Sequence, residues 1–137
     1  MSHPIAFRNI DHIVLRVADI DRAIAFWRDV LGCVLERELS EFGLYQMRAG
    51  QALIDLVPVD SKLGGMGGAA PSREGHNMDH VCLRVEPWDE AAIAAHLMAQ
   101  GVDVPESGRR YGADGFGPSI YITDPDGNTV ELKGPPE

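Results

Sequence analysis

Apolar residues alternate along residues 10–17. Ile13, Leu15 and Val17 fall at one parity and His12, Val14 and Arg16 at the other, the pattern of a strand with two unlike faces. The period then changes. Ile24, Trp27, Val30 and Leu31 recur at helical spacing over residues 22–31, Asp19-Ile20-Asp21 supplies capping acids before them, and Gly32 stands where a helix would end. Strand-like runs follow near residues 34–39, 44–49 and 52–57, parted by the turn signals Phe42-Gly43 and Gly50-Gln51. The first half therefore predicts a strand, a helix and three strands.

The same succession returns. Asp11-His12-Ile13-Val14-Leu15-Arg16-Val17 matches Asp79-His80-Val81-Cys82-Leu83-Arg84-Val85 at five of seven positions, 68 residues on. Ala23-Ile24-Ala25 answers Ala92-Ile93-Ala94 at an offset of 69, while Tyr45 answers Tyr121 and Leu53-Ile54-Asp55-Leu56 answers Thr129-Val130-Glu131-Leu132 at 76. A helix over 89–100, closed by Gly101, and strands near 102–104, 119–123 and 129–132 complete the second half, the last two flanking the turn Asp124-Pro125-Asp126-Gly127-Asn128. The expectation is one domain over 1–137, with repeat halves of about 8–60 and 77–134 joined by a glycine-rich loop, 61–76. Residues 105–118, with five Gly or Pro within 108–118, read as a second long loop.

Parity places four polar groups on the face opposite the apolar set: His12 and His80, and also Asp55 between Ile54 and Leu56 and Glu131 between Val130 and Leu132. Any one of them alone would read as an ordinary structural or solvated residue. Their recurrence at equivalent repeat positions favours a shared site. If each half curls its sheet and a pseudo-two-fold axis relates the halves, these faces meet in a cup, and two imidazoles with one or two carboxylates are a ligand set for divalent Fe, Mn, Co, Ni or Zn. Tyr45 and Tyr121 are expected to line that cup. Arg109 and Arg110, in the second long loop, are candidates to clamp a substrate carboxylate.

Composition narrows the partners. At 137 residues and a formal charge of −9, the chain has one domain's length and no general basic field for nucleic acid. No apolar run approaches the roughly 18 residues of a membrane span, and residues 1–9 lack the apolar core of a secretory signal, which predicts a cytoplasmic protein without a membrane partner. Cys33 and Cys82, far apart among apolar neighbours, read as reduced packing residues.

Asp11-His12-Ile13-Val14-Leu15, Ala23-Ile24-Ala25-Phe26-Trp27 with Leu31-Gly32, and Asp124 to Asn128 with Val130-Glu131-Leu132 together resemble the vicinal oxygen chelate superfamily. That superfamily holds glyoxalase I, fosfomycin- and bleomycin-resistance proteins and extradiol dioxygenases. The resemblance implies an α+β fold of two tandem βαβββ modules forming a curved mixed sheet around a metal-binding cup, commonly in a homodimer. It carries His12, His80 and Glu131 onto the metal positions and Asp55 onto the place of a fourth ligand, where glyoxalase I has a glutamate. It further implies a glyoxalase-type lyase acting on a small substrate with vicinal oxygens, with Glu131 or Asp55 moving the proton. An extradiol ring-cleaving dioxygenase using Fe(II) on the same triad is the alternative enzyme. A resistance-type protein that sequesters a small molecule is the non-enzymatic one.

Overall fold

In the computed structural model, which describes residues 3–137, the first half forms β1 (His12–Val17), α1 (Ile20–Ala25) running into a π-helical turn (Phe26–Val30), β2 (Val34–Leu39), β3 (Leu44–Ala49) and β4 (Ala52–Pro58). The second half repeats this as β5 (His80–Arg84), α2 (Glu90–Ala99), β6 (Gly108–Gly112), β7 (Gly115–Thr123) and β8 (Thr129–Lys133). The fold is α+β, two tandem βαβββ modules. Strand orders are β1-β4-β3-β2 and β5-β8-β7-β6, and in each sheet the first strand runs parallel to the last while the remaining neighbours are antiparallel.

Local chemistry sets the same boundaries twice. Asp19 and Asp89 are the N-caps, their side chains accepting from the backbone N–H of Arg22 and Ala92. Gly32 and Gly101 close the helical segments at φ of 75° and 76°, where a Cβ would be strained. Inward residues of both sheets, among them Leu15, Leu56, Ile122 and Val130, join Trp27 of the π turn and Leu97 of α2 in one hydrophobic cluster. Each such side chain contributes about 1.5–3 kcal/mol by burial.

The two sheets do not hydrogen-bond to each other. They are joined through that cluster and through a polar bridge around Asn77, whose amide donates to Arg16 O at 2.9 Å and to Asn128 Oδ1 at 3.0 Å while its oxygen accepts from Arg16 N at 3.2 Å. Asp126 adds a second tie by accepting from Ala18 N at 2.8 Å. The turn that presents Asp126 is held by buried Asp124, which accepts from the backbone of Asp126 and Asn128 and from the Asn128 amide. Burial raises the Asp124 carboxyl above the ordinary aspartate range, outweighing those hydrogen bonds.

Two expectations are corrected. Residues 102–104 pair with no strand, so their β-branched character gives an extended segment rather than a sheet member. Residues 105–118 are not one long loop: β6 and the first four residues of β7 lie there, their alternation hidden by glycines. The loop between the halves is anchored, because the Arg16 guanidinium donates to the carbonyls of Gly64, Gly67, Gly68 and Ala69 at 2.7–3.0 Å. Among the described residues no helix is long and apolar enough to cross a membrane.

Adjacent residues on β7 test the face assignment. Ile122 is 2% exposed whereas Thr123 is exposed. Chemical denaturation of Ile122→Ala is expected to show a loss of about 2–5 kcal/mol, and Thr123→Ala a change within about 0.5 kcal/mol. Equal losses would contradict it.

Candidate functional site

Side-chain alternation turns a row of polar groups away from the core on each sheet. On the first, Arg37, Gln46 and Asp55 lie in register across β2, β3 and β4, with His12 on β1 beyond. Arg37 Nη1 donates to Gln46 Oε1 at 3.0 Å, and Gln46 Nε2 donates to Asp55 Oδ1 at 3.2 Å. Asp55 Oδ1 is thereby engaged, which leaves Oδ2 as the open acceptor.

The second sheet carries the same kind of row. His80 Nε2 lies 3.3 Å from Glu131 Oε1, and Tyr121 sits opposite Glu131 on β7 with its ring edge-on to His80 at 5.6 Å between centroids. Arg110, on β6, stacks on Tyr121 at 4.5 Å and donates to Ser119. In both modules the order is histidine, carboxylate, neutral donor, arginine.

Each histidine is also oriented from behind. His12 Nδ1 lies 2.7 Å from Asp11 Oδ1 and His80 Nδ1 2.6 Å from Asp79 Oδ2. A carboxylate accepts only, so Nδ1 carries the hydrogen and Nε2 presents its lone pair. Metal-binding histidines are commonly fixed in this way. The Asp11 hydrogen bond, followed by the charge of Asp55, raises the His12 pKa above the ordinary histidine value.

Asp55 and Glu131 are 4% and 5% exposed, yet among the described residues neither is ion-paired with Lys or Arg. Carboxylates so buried are costly unless a cation compensates them. The donor chemistry therefore fits a divalent ion, with nitrogen from imidazole and oxygen from carboxylate.

The rows do not merge in one chain. His12 and Asp55 belong to the first sheet, His80, Glu131 and Tyr121 to the second, and no group of three or more such ligands gathers among the described residues. Tyr45 is not in either row: it pairs with Leu56 and packs against the core. The structural counterpart of Tyr121 is Gln46, because β3 and β4 are joined by a tighter turn than β7 and β8 and the antiparallel register shifts by one. Arg109 lies on the face of β6 opposite Arg110, bonds Glu137 at 2.6 and 2.9 Å and stacks on Phe116. Sequence reasoning passed over Asp11, Asp79, Gln46 and Arg37, although the repeated Asp-His pair was visible as a signal.

Cys82 is exposed, not packed inside, and stands in register with Glu131. Partial burial first, then the charge and hydrogen bond of Glu131, push its thiol up to about 11. The same causes raise the Tyr121 hydroxyl.

Comparisons with known proteins agree with this architecture. The family model described as the Glyoxalase/Bleomycin resistance protein/Dioxygenase superfamily matches residues 9–132. A virulence protein of Salmonella typhimurium is 30% identical over 129 residues, covering 90% of this chain and 81% of that protein. Glutathione transferase FosA of Serratia marcescens is 25% identical over 125 residues, covering 91% and 79%. An integron cassette protein from the mobile metagenome of V. cholerae superposes with a TM-score of 0.76 at 26% identity, covering 96% of this chain and 98% of that one.

Thiol reactivity reports on the Cys82–Glu131 contact. Because the thiolate is the reacting species, Glu131→Gln is expected to lower the Cys82 pKa and to speed its alkylation by iodoacetamide at pH 8.5 (an assay pH) by several-fold. An unchanged rate would mean that the two groups do not communicate.

Proposed function

This chain belongs to the Glyoxalase/Bleomycin resistance protein/Dioxygenase superfamily, and from that premise we propose that it is a metal-dependent enzyme of the glyoxalase type acting on a small substrate with two neighbouring oxygens. The carrying observation is the pair of Asp-backed histidines, with His80 Nε2 3.3 Å from buried Glu131 and His12 on the same face of the first sheet as buried Asp55. In this reading His12, His80 and Glu131 hold the divalent ion. Because His12 lies on a separate sheet, His12 comes from one chain and His80 and Glu131 from a second, in a homodimer. The apolar surface that one chain leaves open at and before β1 supports such a partner: Phe7 is 94%, Ile10 74% and Val14 51% exposed.

When bound, the divalent ion supplies Lewis acidity that stabilises negative charge developing on the substrate oxygens. The chain's own groups do the rest. Asp55, with Oδ1 fixed by Gln46, takes the substrate proton at Oδ2, and Glu131 is the alternative acceptor on the opposite sheet. Tyr121, whose hydroxyl bonds Glu131, fixes the orientation of that carboxylate. The likeness to glutathione transferase FosA favours a second reading, transfer of a thiol to an electrophilic substrate by the same site.

Metal loading followed by a turnover screen tests this. The wild type is expected to bind metal stoichiometrically and to turn over hemithioacetals or, in the second reading, to add a thiol to an epoxide. Catechol cleavage dependent on Fe(II) would replace both readings with a dioxygenase, and absence of metal after reconstitution would replace them with a binding protein. Asp79→Asn is expected to weaken metal binding by about 10–100-fold with far-ultraviolet circular dichroism unchanged. As pH falls, protons compete for the ligands, and since the His12 pKa is raised, affinity is expected to decline from above the ordinary histidine value of about 6.5.

A further inference from the structure

Arg16 leaves β1 on the face that carries His12, two residues beyond Val14. Its head is enclosed by the loop that joins the modules. Nη1 donates to the carbonyls of Gly67 and Ala69 at 3.0 and 2.9 Å, and Nη2 to those of Gly64 and Gly68 at 2.9 and 2.7 Å, so each terminal N–H meets its own acceptor. Nε is buried without a partner among the described residues, and a Cβ at Gly67 would stand 2.6 Å from it. A glycine there lets the loop close around the guanidinium. No carboxylate pairs with Arg16 among the described residues, so backbone dipoles compensate its charge.

The backbone that carries this head is fixed as well. Asn77 accepts from the Arg16 N–H and donates to its carbonyl, and the same amide reaches Asn128 of the second module. The loop is therefore drawn to one place on the first sheet, and that place borders the polar row. Val57 of β4 stands in register with Arg16, as Asp55 does with Val14 one step back, about 7 Å along the strand. Val57 is 4% exposed where Val14, on the same face, is 51% exposed. Leu44, on the face of Gln46, and its β2 partner Leu39 continue this apolar end.

We propose that Arg16 is a positioning residue of the substrate cup: it clasps residues 64–69 over Val57 and so fixes an apolar end wall beside Asp55, against which the uncoordinated part of the substrate packs. That packing rests on the function proposed above, in which Asp55 takes the substrate proton; the clasp and the wall do not. A guanidinium suits the clasp because its planar fork presents four terminal N–H groups in fixed directions, where an ammonium offers three from one point. The wall is present before substrate arrives, so no loop has to be ordered on binding.

Hydrogen exchange in metal-free protein reads the clasp without any activity. Amides of residues 63–66 are expected to exchange about tenfold or more faster in Arg16→Ala than in wild type. Millimolar guanidinium chloride, far below denaturing concentrations, is expected to restore their protection where equal sodium chloride does not. Gly67→Ala keeps the arginine but displaces its head, and is expected to speed exchange too. To read the wall, Val57→Cys places a thiol under the loop, with native Cys82 as the internal standard. Iodoacetamide is expected to label position 57 slowly, and about tenfold faster when Gly67→Ala is added. With a hemithioacetal or epoxide that the wild type turns over, Gly67→Ala is expected to raise KM several-fold at nearly constant kcat. Unchanged exchange, or no recovery with guanidinium, would overturn the clasp, and equal labelling at position 57 would overturn the wall. Faster exchange and labelling with KM unmoved would make Arg16 a loop tether only. If neither substrate is turned over, the functional reading fails, while exchange and labelling still decide the clasp and the wall.

Discussion

The constraint on which this structure depends is strand alternation against a single shared core. Leu15 and Val17, Ile54 and Leu56, and Val130 and Leu132 are buried together with the residues of both helical segments, so their neighbours His12, Asp55 and Glu131 must face the other way. Reversing any one of these strands would turn its apolar set away from the core and its imidazole or carboxylate into it. The polar rows are thus a consequence of core packing rather than separate inventions. Duplication of the unit writes each row twice.

What the rows share matters more than any single residue. Each runs from histidine through carboxylate and neutral donor to arginine, and each histidine is backed by the aspartate before it. A carboxylate flanked by donors is held in one orientation, and a histidine with Nδ1 engaged has one nitrogen left for chemistry. The rows differ where the modules specialise. Asp55 is bonded by Gln46 on the first sheet, while Glu131 lies beside His80, Tyr121 and Cys82 on the second, which also carries the cations around Ser119.

Much of this was legible in the sequence, because parity is a local property. The faces of His12, Asp55, His80 and Glu131 follow from their immediate neighbours, the capping aspartates from position, and the turn at Asp124 to Asn128 from its residue types. Register was not legible in the same way. Tyr45 aligns with Tyr121 in the sequence repeat, but turn length decides which residue of β3 stands opposite Asp55, and that residue is Gln46. β6 and the start of β7 escaped because Gly108, Gly112 and Gly117 erase the alternation, and the structure gives the reason for Gly112 and Gly117, which leave room for Lys133. Parity also says which face a residue is on and not which faces meet, so the division of the candidate ligands between two sheets emerged only from the fold.

The proposed site draws His12 from one chain and His80 and Glu131 from another, and subunit mixing tests that proposal most directly. His12→Ala and His80→Ala each lack one ligand of every site and should bind metal poorly alone. Mixed and allowed to exchange subunits, they form heterodimers in which one site is doubly damaged and the other is whole, so tight metal binding should return with the heterodimer fraction. Failure of the mixture to recover tight binding, with heterodimers demonstrably present, would contradict a site shared between chains.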